Sequence, residues 1–347
     1  MKPPGGMLAL SAIQANTCAA ASQSALARAR ELAKALPDRR NSSATSGEVE
    51  MAWWWVDHDA LFQEAQEEWG RRHEALYQLE ANEERFIRVE LREAIAAVEA
   101  AALRDATVDE SAVRRLLRQT EAPGVWAVPI FTPAFCEMVI QEVQHYEASG
   151  IPLRRPNGMN RYGAILDQLG LEDSMAYLSR RYLRPLGQLL YPYLISTGDA
   201  DEHYAFMVRY KLGEDTQLAE HADASVLTLN ANLGLPASQG GFKGGRLAFR
   251  GTRFIDEAPQ KMAAAHVSFD AMEPGEGLLH LGGHYHAALP IESGERVNLI
   301  VWLHGKYEVV RVAPYKQEEQ LSAKERWTAF SRERAEERLQ QARSQLG

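Results

Sequence analysis

"GEGLLHLGGHYHAALPIESGERVNLIVWLHG" (residues 275–305) reads as three short apolar or alternating runs, separated by Gly, Pro and Ser. Upstream, "HYAFMVRYKL" (203–212), "SVLTLNANL" (225–233), "GRLAFRG" (245–251) and "AHVSFD" (265–270) have the same texture. Several short strands at this spacing, with turn residues between them, predict an antiparallel barrel or jelly roll.

The same stretch carries candidate chemistry. His284 and His286 are two apart, so on a strand they share a face. "EHADASVLTLN" (220–230) supplies His221 and Asp223 at the same spacing. On one strand their Cα atoms stand roughly 6.5–7 Å apart, close enough for both side chains to reach one ion. A third imidazole from another strand completes a two-histidine, one-carboxylate set. That set leaves three adjacent coordination positions open and suits non-haem Fe(II). His280, His284 and His286 are the candidates, with His280 closing the strand before "LGG". A lone His-x-Asp is a weak signal in a chain with ten histidines, and an exposed strand end is the competing reading. Downstream, "ALPIESGER" (288–296) predicts a hairpin turn near Ser293-Gly294 that returns Arg296 toward His286. A guanidinium fork pairs bidentately with a carboxylate. Metal and anion clamp in one cavity suit a dicarboxylate.

The rest of the chain divides by texture. Residues 1–50 are an appendage. The first 30 contain no Asp or Glu, which fits an organelle transit segment, a disordered tail or an Ala-rich helix. Residues 51–121 are a helical region: from Asp57 to Leu117 there is no proline, and Leu61, Trp69, Leu76, Leu79, Phe86 and Leu91 recur at helical spacing. The third segment, 122–315, holds the strand series. It opens on Thr132-Pro133, a cap and first helical position, with a helix running to Gly150. A second helix spans 171–194, bent or divided at Pro185. Residues 316–347 return to helix, with "SAKE" (322–325) as a capping box. The fold class expected is α+β, a double-stranded β-helix (jelly-roll) core with N-terminal and C-terminal helices.

Net charge is −9, which disfavours a generic polyanion binder, so no nucleic acid is expected as a partner. Cys18 and Cys136 are too few for a disulfide framework, which fits a reducing, intracellular compartment with the cytoplasm first. No run reaches the roughly 18 apolar residues of a membrane span.

Taken together, His221-x-Asp223 and His286-x3-Pro290-x3-Gly294-x-Arg296 resemble the 2-oxoglutarate- and iron(II)-dependent oxygenases, in the prolyl and lysyl hydroxylase-like branch. The likeness extends to "VPIFTPAFCEMVIQEV" (128–143), "RPNGMNRYG" (155–163), "VRYKLGEDTQLAEHADASVLTLNANLG" (208–234) and "FKGGRLAFRG" (242–251), about half the chain. The nearest likeness is to a small group of single-domain oxygenases that share the "RPN-MN-YG" segment. The resemblance implies a metal set of His221, Asp223 and His286, and Arg296 on the distal carboxylate of 2-oxoglutarate. It places Tyr210 at the co-substrate, with core packing as the alternative, and puts Asn230 on the same cavity. Gly244 and Gly245 match a tight turn. Arg246 and the extra His284 depart from the pattern. The cofactors implied are Fe(II), 2-oxoglutarate and O2, with ascorbate in support, and the reaction implied is hydroxylation of a prolyl or lysyl side chain in a protein or peptide. Asp223 favours hydroxylation over halogenation. Arg154, Arg155 and Arg161 either border the entrance or sit on an exposed loop. The alternatives are a low-turnover metal-binding scaffold that docks partners through its helices, an oxidative nucleic-acid demethylase and a zinc hydrolase.

Overall fold

A computed structural model describes residues 24–34, 58–103, 110–191, 195, 201–235, 239–252, 263–269 and 272–305. The capping-box helix expected over 316–347 lies outside these residues, as does most of the 1–50 appendage. Two compact units are present. In the first, α1 (Ala25–Ala33) is capped by Ser24, and the Glu68 carboxylate accepts from the Ala25 and Leu26 amides at 3.0 Å each. Two otherwise unpaired donors of the helix end are satisfied in this way. Glu68 belongs to α2 (Asp59–Trp69).

The second unit, residues 73–143 and 153–330, carries the sheets. The helical texture of 57–117 is broken more often than its lack of proline suggests. Gly70 stops α2 at φ 74°, a conformation that needs no proline. Two 3-10 turns follow, then α3 (Glu83–Phe86), α4 (Val89–Leu103) and α5 (Ser111–Leu116). Helix α6 (Pro133–Ser149) begins as expected: the Phe135 amide donates to the Thr132 hydroxyl at 3.3 Å. The 171–194 helix is divided near Pro185, as α7 (Glu172–Leu178), a π turn (Ser179–Leu183) and α8 (Arg184–Leu190).

Among the described residues, eight strands form the core: β4 (Asp201–Lys211), β5 (Leu218–His221), β6 (Leu227–Asn232), β8 (Leu247–Thr252), β9 (Ala265–Val267), β10 (Glu276–Leu281), β11 (His284–Ala288) and β13 (Glu295–Gly305). The major sheet is extended by β1 (Arg118–Gln119), β2 (Trp126–Pro129) and β3 (Gly163–Ile165), in the order β1-β2-β10-β6-β13-β4-β3. The minor sheet runs β5-β11-β8-β9. All pairings are antiparallel. Along the chain the core strands switch between sheets, which is the winding of a double-stranded β-helix. The expected α+β jelly-roll core is therefore observed.

Burial explains the pattern of β6. All six of its residues are buried. Leu227, Leu229 and Ala231 share one face, and the Gly187 position of α8 packs so close to Leu227 that a Cβ there would lie 2.9 Å from Leu227 Cδ2. Thr228, Asn230 and Asn232 take the opposite parity, and Thr228 and Asn230 line a cavity between the sheets. An apolar outer face and a polar inner face invert the usual arrangement of a sheet. Such an interior costs free energy unless each polar group finds a partner or a ligand.

The connection after β11 departs from expectation. β11 and β13 do not form a hairpin, because they lie in different sheets. The intervening β12 (Ile291–Ser293) pairs instead with β7 (Lys243–Gly244). Pro290 has no amide to continue the β11 ladder, and Gly294 turns the chain at φ 78°. Arg296 thus enters the cavity from the sheet opposite His286. Among the described residues, no helix is long and apolar enough to cross a membrane.

Candidate metal and anion site

His221 and His286 are cross-strand partners at the β5–β11 ladder, with ring centroids 4.3 Å apart. Asp223 is not on the strand as expected. It sits just past β5, where its amide donates to the Gly282 carbonyl at 2.8 Å. That bond ties the 223–225 turn to the 281–283 turn. The fit is tight enough that a Cβ at Gly282 would lie 1.9 Å from the Ser225 carbonyl oxygen. The bond also aims the carboxylate at both rings: Asp223 Oδ1 stands 3.4 Å from His221 Nε2 and 3.7 Å from His286 Nε2. One candidate ligand atom from each of the three residues falls within 4.8 Å of the others.

The other ring nitrogens are occupied. His221 Nδ1 lies 2.9 Å from the Ala219 carbonyl, and His286 Nδ1 lies 2.9 Å from the His284 carbonyl. A carbonyl only accepts, so both Nδ1 atoms carry hydrogen and both Nε2 atoms face Asp223. The donor set fits a divalent transition metal, because the rings are held in the tautomer that ligation requires.

Asp223 Oδ2 points away from the two rings. It accepts from the Thr228 hydroxyl at 2.7 Å, and Ser225 Oγ lies 2.8 Å from Thr228 Oγ1. Thr228 already donates to the carboxylate, so Ser225 must donate to Thr228. His280, the cross-strand partner of Thr228, lies behind this group with Nε2 at 3.9 Å from Oδ2. Of the three histidine candidates, His286 is therefore the one that meets Oδ1. His284 is buried against Phe249 rather than exposed. Its carbonyl, not its imidazole, orients His286.

Burial and charge set the protonation. Burial opposes the charged form of Asp223, but the neighbouring His286 and His221 outweigh it and hold the carboxyl below the usual range. Burial likewise works against the His221 imidazolium, yet the Asp223 carboxylate wins and raises it. His286, His280 and His284 are pushed down, to about 4, about 3 and about 4, chiefly by burial. In metal-free protein these three rings refuse protons that the unfolded chain accepts near pH 6.5. Their stability contribution is full above that pH and is lost as pH falls toward 4. Asp223 acts in the same direction at still lower pH, and His221 alone acts the other way. The metal-free melting temperature is expected to drop progressively from pH 7 to pH 5. A flat or rising profile in calorimetry contradicts the burial of these rings.

At the other end of the cavity Arg296 is 1% exposed. Its Nε donates to Asn298 Oδ1 at 2.7 Å, and Nη1 donates to the Gly245 carbonyl. Its guanidinium lies over Phe269 at 4.5 Å and over Tyr210 at 5.2 Å. No carboxylate among the described residues pairs with it. Burial lowers its pKa to about 10, so the group stays charged at neutral pH. Gly245 is at φ 65°, and a Cβ there would press on Arg296 Cδ at 3.3 Å. Gly245 is thus part of the arginine's seat as well as of a turn.

Every residue nominated from sequence reaches this cavity: His221, Asp223, His286, Arg296, Tyr210 and Asn230 all line it. Asn230 Oδ1 is engaged, accepting from Asn298 Nδ2 at 2.8 Å. Polar or aromatic lining residues not nominated include Asn157, Asn160, Thr228 and Trp302, and Asn298, which holds Arg296 and Asn230, was also missed. The run Thr228-x-Asn230-x-Asn232 was the available signal, three polar residues at one strand parity. "RPNGMNRYG" is exposed only in part: Gly158, Met159 and Arg161 face solvent, whereas Asn160 is 1% exposed and lines the cavity. Arg155 is turned back onto the Gly158 and Asn160 carbonyls.

Core winding and donor set together define the class, a double-stranded β-helix with a two-histidine, one-carboxylate cluster, and the chain is similar to 2-oxoglutarate- and iron-dependent oxygenases. More particularly, residues 65–196 match the OGFOD2-like domain. That match ends before His221, so the site residues rest on geometry. The chain is 41% identical over 196 residues to the human 2-oxoglutarate and iron-dependent oxygenase domain-containing protein 2, covering 55% of this chain and 52% of that protein. It therefore spans about half the length of that relative. It is 30% identical over 189 residues to human procollagen-lysine,2-oxoglutarate 5-dioxygenase 1, covering 52% of this chain and 24% of that one. Among solved structures, a Pseudomonas putida prolyl-4-hydroxylase is matched at 14% identity and TM-score 0.36, over 61% of this chain and 98% of its own. The strand order, not this last likeness, carries the fold assignment.

Proposed function

We propose that the chain is a 2-oxoglutarate-dependent dioxygenase that hydroxylates an unactivated C–H bond, on a prolyl or lysyl side chain of a protein or peptide. One observation carries the reading: a two-histidine, one-carboxylate cluster shares a cavity with a buried arginine that lacks an acidic partner among the described residues. His221 Nε2, Asp223 Oδ1 and His286 Nε2 would hold Fe(II). Bound there, iron supplies the redox chemistry that couples decarboxylation of 2-oxoglutarate, to succinate and CO2, with oxygen insertion into substrate. The chain's own contribution is placement. Arg296 offers its fork to the far carboxylate, and Asn298 and Gly245 keep that fork from rotating. Thr228 holds Asp223 Oδ2 turned from the two rings, so that Oδ1 would be the carboxylate oxygen offered to the metal. The substrate class rests on the likeness to the lysyl and prolyl hydroxylases alone.

Succinate formation from 2-oxoglutarate with Fe(II), ascorbate and O2 tests the reaction. Mass spectrometry of candidate proteins gaining one oxygen tests the substrate. A metal-binding scaffold would make no more succinate than its Asp223→Ala variant. Thr228→Val keeps the shape and removes the hydroxyl. It is expected to weaken Mn(II) binding about 10- to 100-fold, the usual cost of losing an outer partner of a metal ligand. Calorimetric titration measures this, and unchanged affinity would remove Thr228 from the site.

A further inference from the structure

The "RPNGMN" turn (155–160) has no role in the reaction outlined above, yet it is tied down at nearly every polar group. The Tyr204 hydroxyl donates to the Pro156 carbonyl at 2.9 Å. Asn157 Oδ1 accepts from the Met159 and Asn160 amides, at 2.8 and 2.7 Å. Backbone amides only donate, so this atom must be the oxygen, and the amide orientation of Asn157 is fixed. Its Nδ2 then donates to Asn160 Oδ1 at 3.0 Å. Asn160 is thereby oriented too, and presents Nδ2 to the Tyr210 hydroxyl at 3.1 Å. The polarity of this relay runs one way, from backbone amide to Asn157, to Asn160, to Tyr210.

The consequence falls on Tyr210. Its oxygen accepts from Asn160, so its own hydrogen must be donated elsewhere. No described residue accepts it. The ring is 4% exposed, lines the cavity, lies beneath the Arg296 guanidinium and is the cross-strand partner of Arg296. We propose that the Asn157–Asn160 amide pair is a positioning device that commits the Tyr210 hydroxyl to donating into the cavity, toward the carboxylate that Arg296 recognises. This rests on the proposed co-substrate role of Arg296. Asn157 and Asn160 act through Tyr210, and their effect is on 2-oxoglutarate affinity rather than on the metal.

Two near-isosteric substitutions reverse the relay. Asn160→Asp puts a carboxylate oxygen in place of the donor, so the Tyr210 hydrogen turns to it and away from the cavity. Asn157→Asp keeps the acceptor for the two backbone amides and faces Asn160 with an oxygen, so Asn160 flips and offers its own oxygen to Tyr210. The experiment is calorimetric binding of 2-oxoglutarate to the Mn(II)-loaded full chain. Mn(II) affinity and melting temperature are measured alongside. Each variant is expected to raise the Kd for 2-oxoglutarate about 10- to 100-fold, the range for a hydrogen bond to a charged group, with Mn(II) affinity within about twofold of wild type. Tyr210→Phe should give a similar loss, and Asn160→Asp added to Tyr210→Phe should cost nothing more. Multiplicative losses in the double variant, or wild-type affinity in both aspartate variants, overturn the proposal. Loss of affinity in Asn160→Asp without loss in Asn157→Asp also overturns it. If wild type binds 2-oxoglutarate no better than Arg296→Met does, the reading of the site itself fails, and that outcome is distinct from the others.

Discussion

Asp223→Ala is expected to lower Fe(II) affinity and succinate formation by more than about 100-fold, beyond the cost of losing an outer partner. Oδ1 is the one anionic donor among the three candidate ligands. Without it, a divalent cation would sit in a buried pocket between two neutral imidazoles, its charge uncompensated. The Thr228 hydroxyl also loses its acceptor, a penalty of about 1–3 kcal/mol for a buried donor left unpaired. The metal-free variant should therefore melt lower than wild type. The raised pKa of His221 should fall, since the carboxylate that raises it is gone and burial, the largest influence on it, opposes the charged form. Anaerobic metal titration, a succinate assay and proton NMR of the imidazoles read the three effects separately. Wild-type metal affinity in this variant would dispose of the proposed centre.

Arg296→Met is expected to remove two thirds or more of the rise in melting temperature that 2-oxoglutarate gives the wild type. A buried guanidinium without an acidic partner costs several kcal/mol of desolvation, and a dicarboxylate supplies the missing charge. Removing one side of a buried, hydrogen-bonded charge pair costs about 2–5 kcal/mol of binding, or roughly 30-fold to several thousand-fold in Kd. At a ligand concentration of 100 times its Kd, the wild type gains about 2.7 kcal/mol of stability from mass action. At the same ligand concentration the variant should gain about 0.9 kcal/mol at the 30-fold end of that range and almost none at the other. Stability without ligand should change little: relief of desolvation offsets the loss of donors to Asn298 and Gly245, at about 1–3 kcal/mol each. Arg296→Lys keeps the charge but loses the fork and the flat contact with Phe269, so it should fall between the two. A full ligand-induced shift in Arg296→Met would sink the anion assignment.

Both predictions concern residues that sequence spacing nominated, and the reason is local. His221 and Asp223 are side chains of specific chemistry two residues apart in one short run, and the family resemblance singled out His286 from three histidines. The partners that hold them were less visible. Thr228 and Asn230 sat in a run that reads as an ordinary strand until burial shows both faces covered. Asn298 reads as one polar residue in an apolar strand. Asn157 and Asn160 read as loop residues, because Asn and Gly cluster wherever a chain turns. The helical region went further astray. Absence of proline is permissive and does not select a continuous helix, and Gly70 ended α2 without one.

Strand existence and the chemistry of the candidate ligands follow from sequence, since alternation and side-chain chemistry are properties of neighbouring residues; the choice of His286 among three histidines came from the family resemblance. Which sheet each strand joins does not. β11 and β13 look like the arms of a hairpin, and only long-range pairing sends one to β5 and the other to β4. That separation sets Arg296 across the cavity from His286, leaving room between them for a small dianion. Register between distant strands depends on burying both faces of each sheet at once, and no local window of sequence contains that condition.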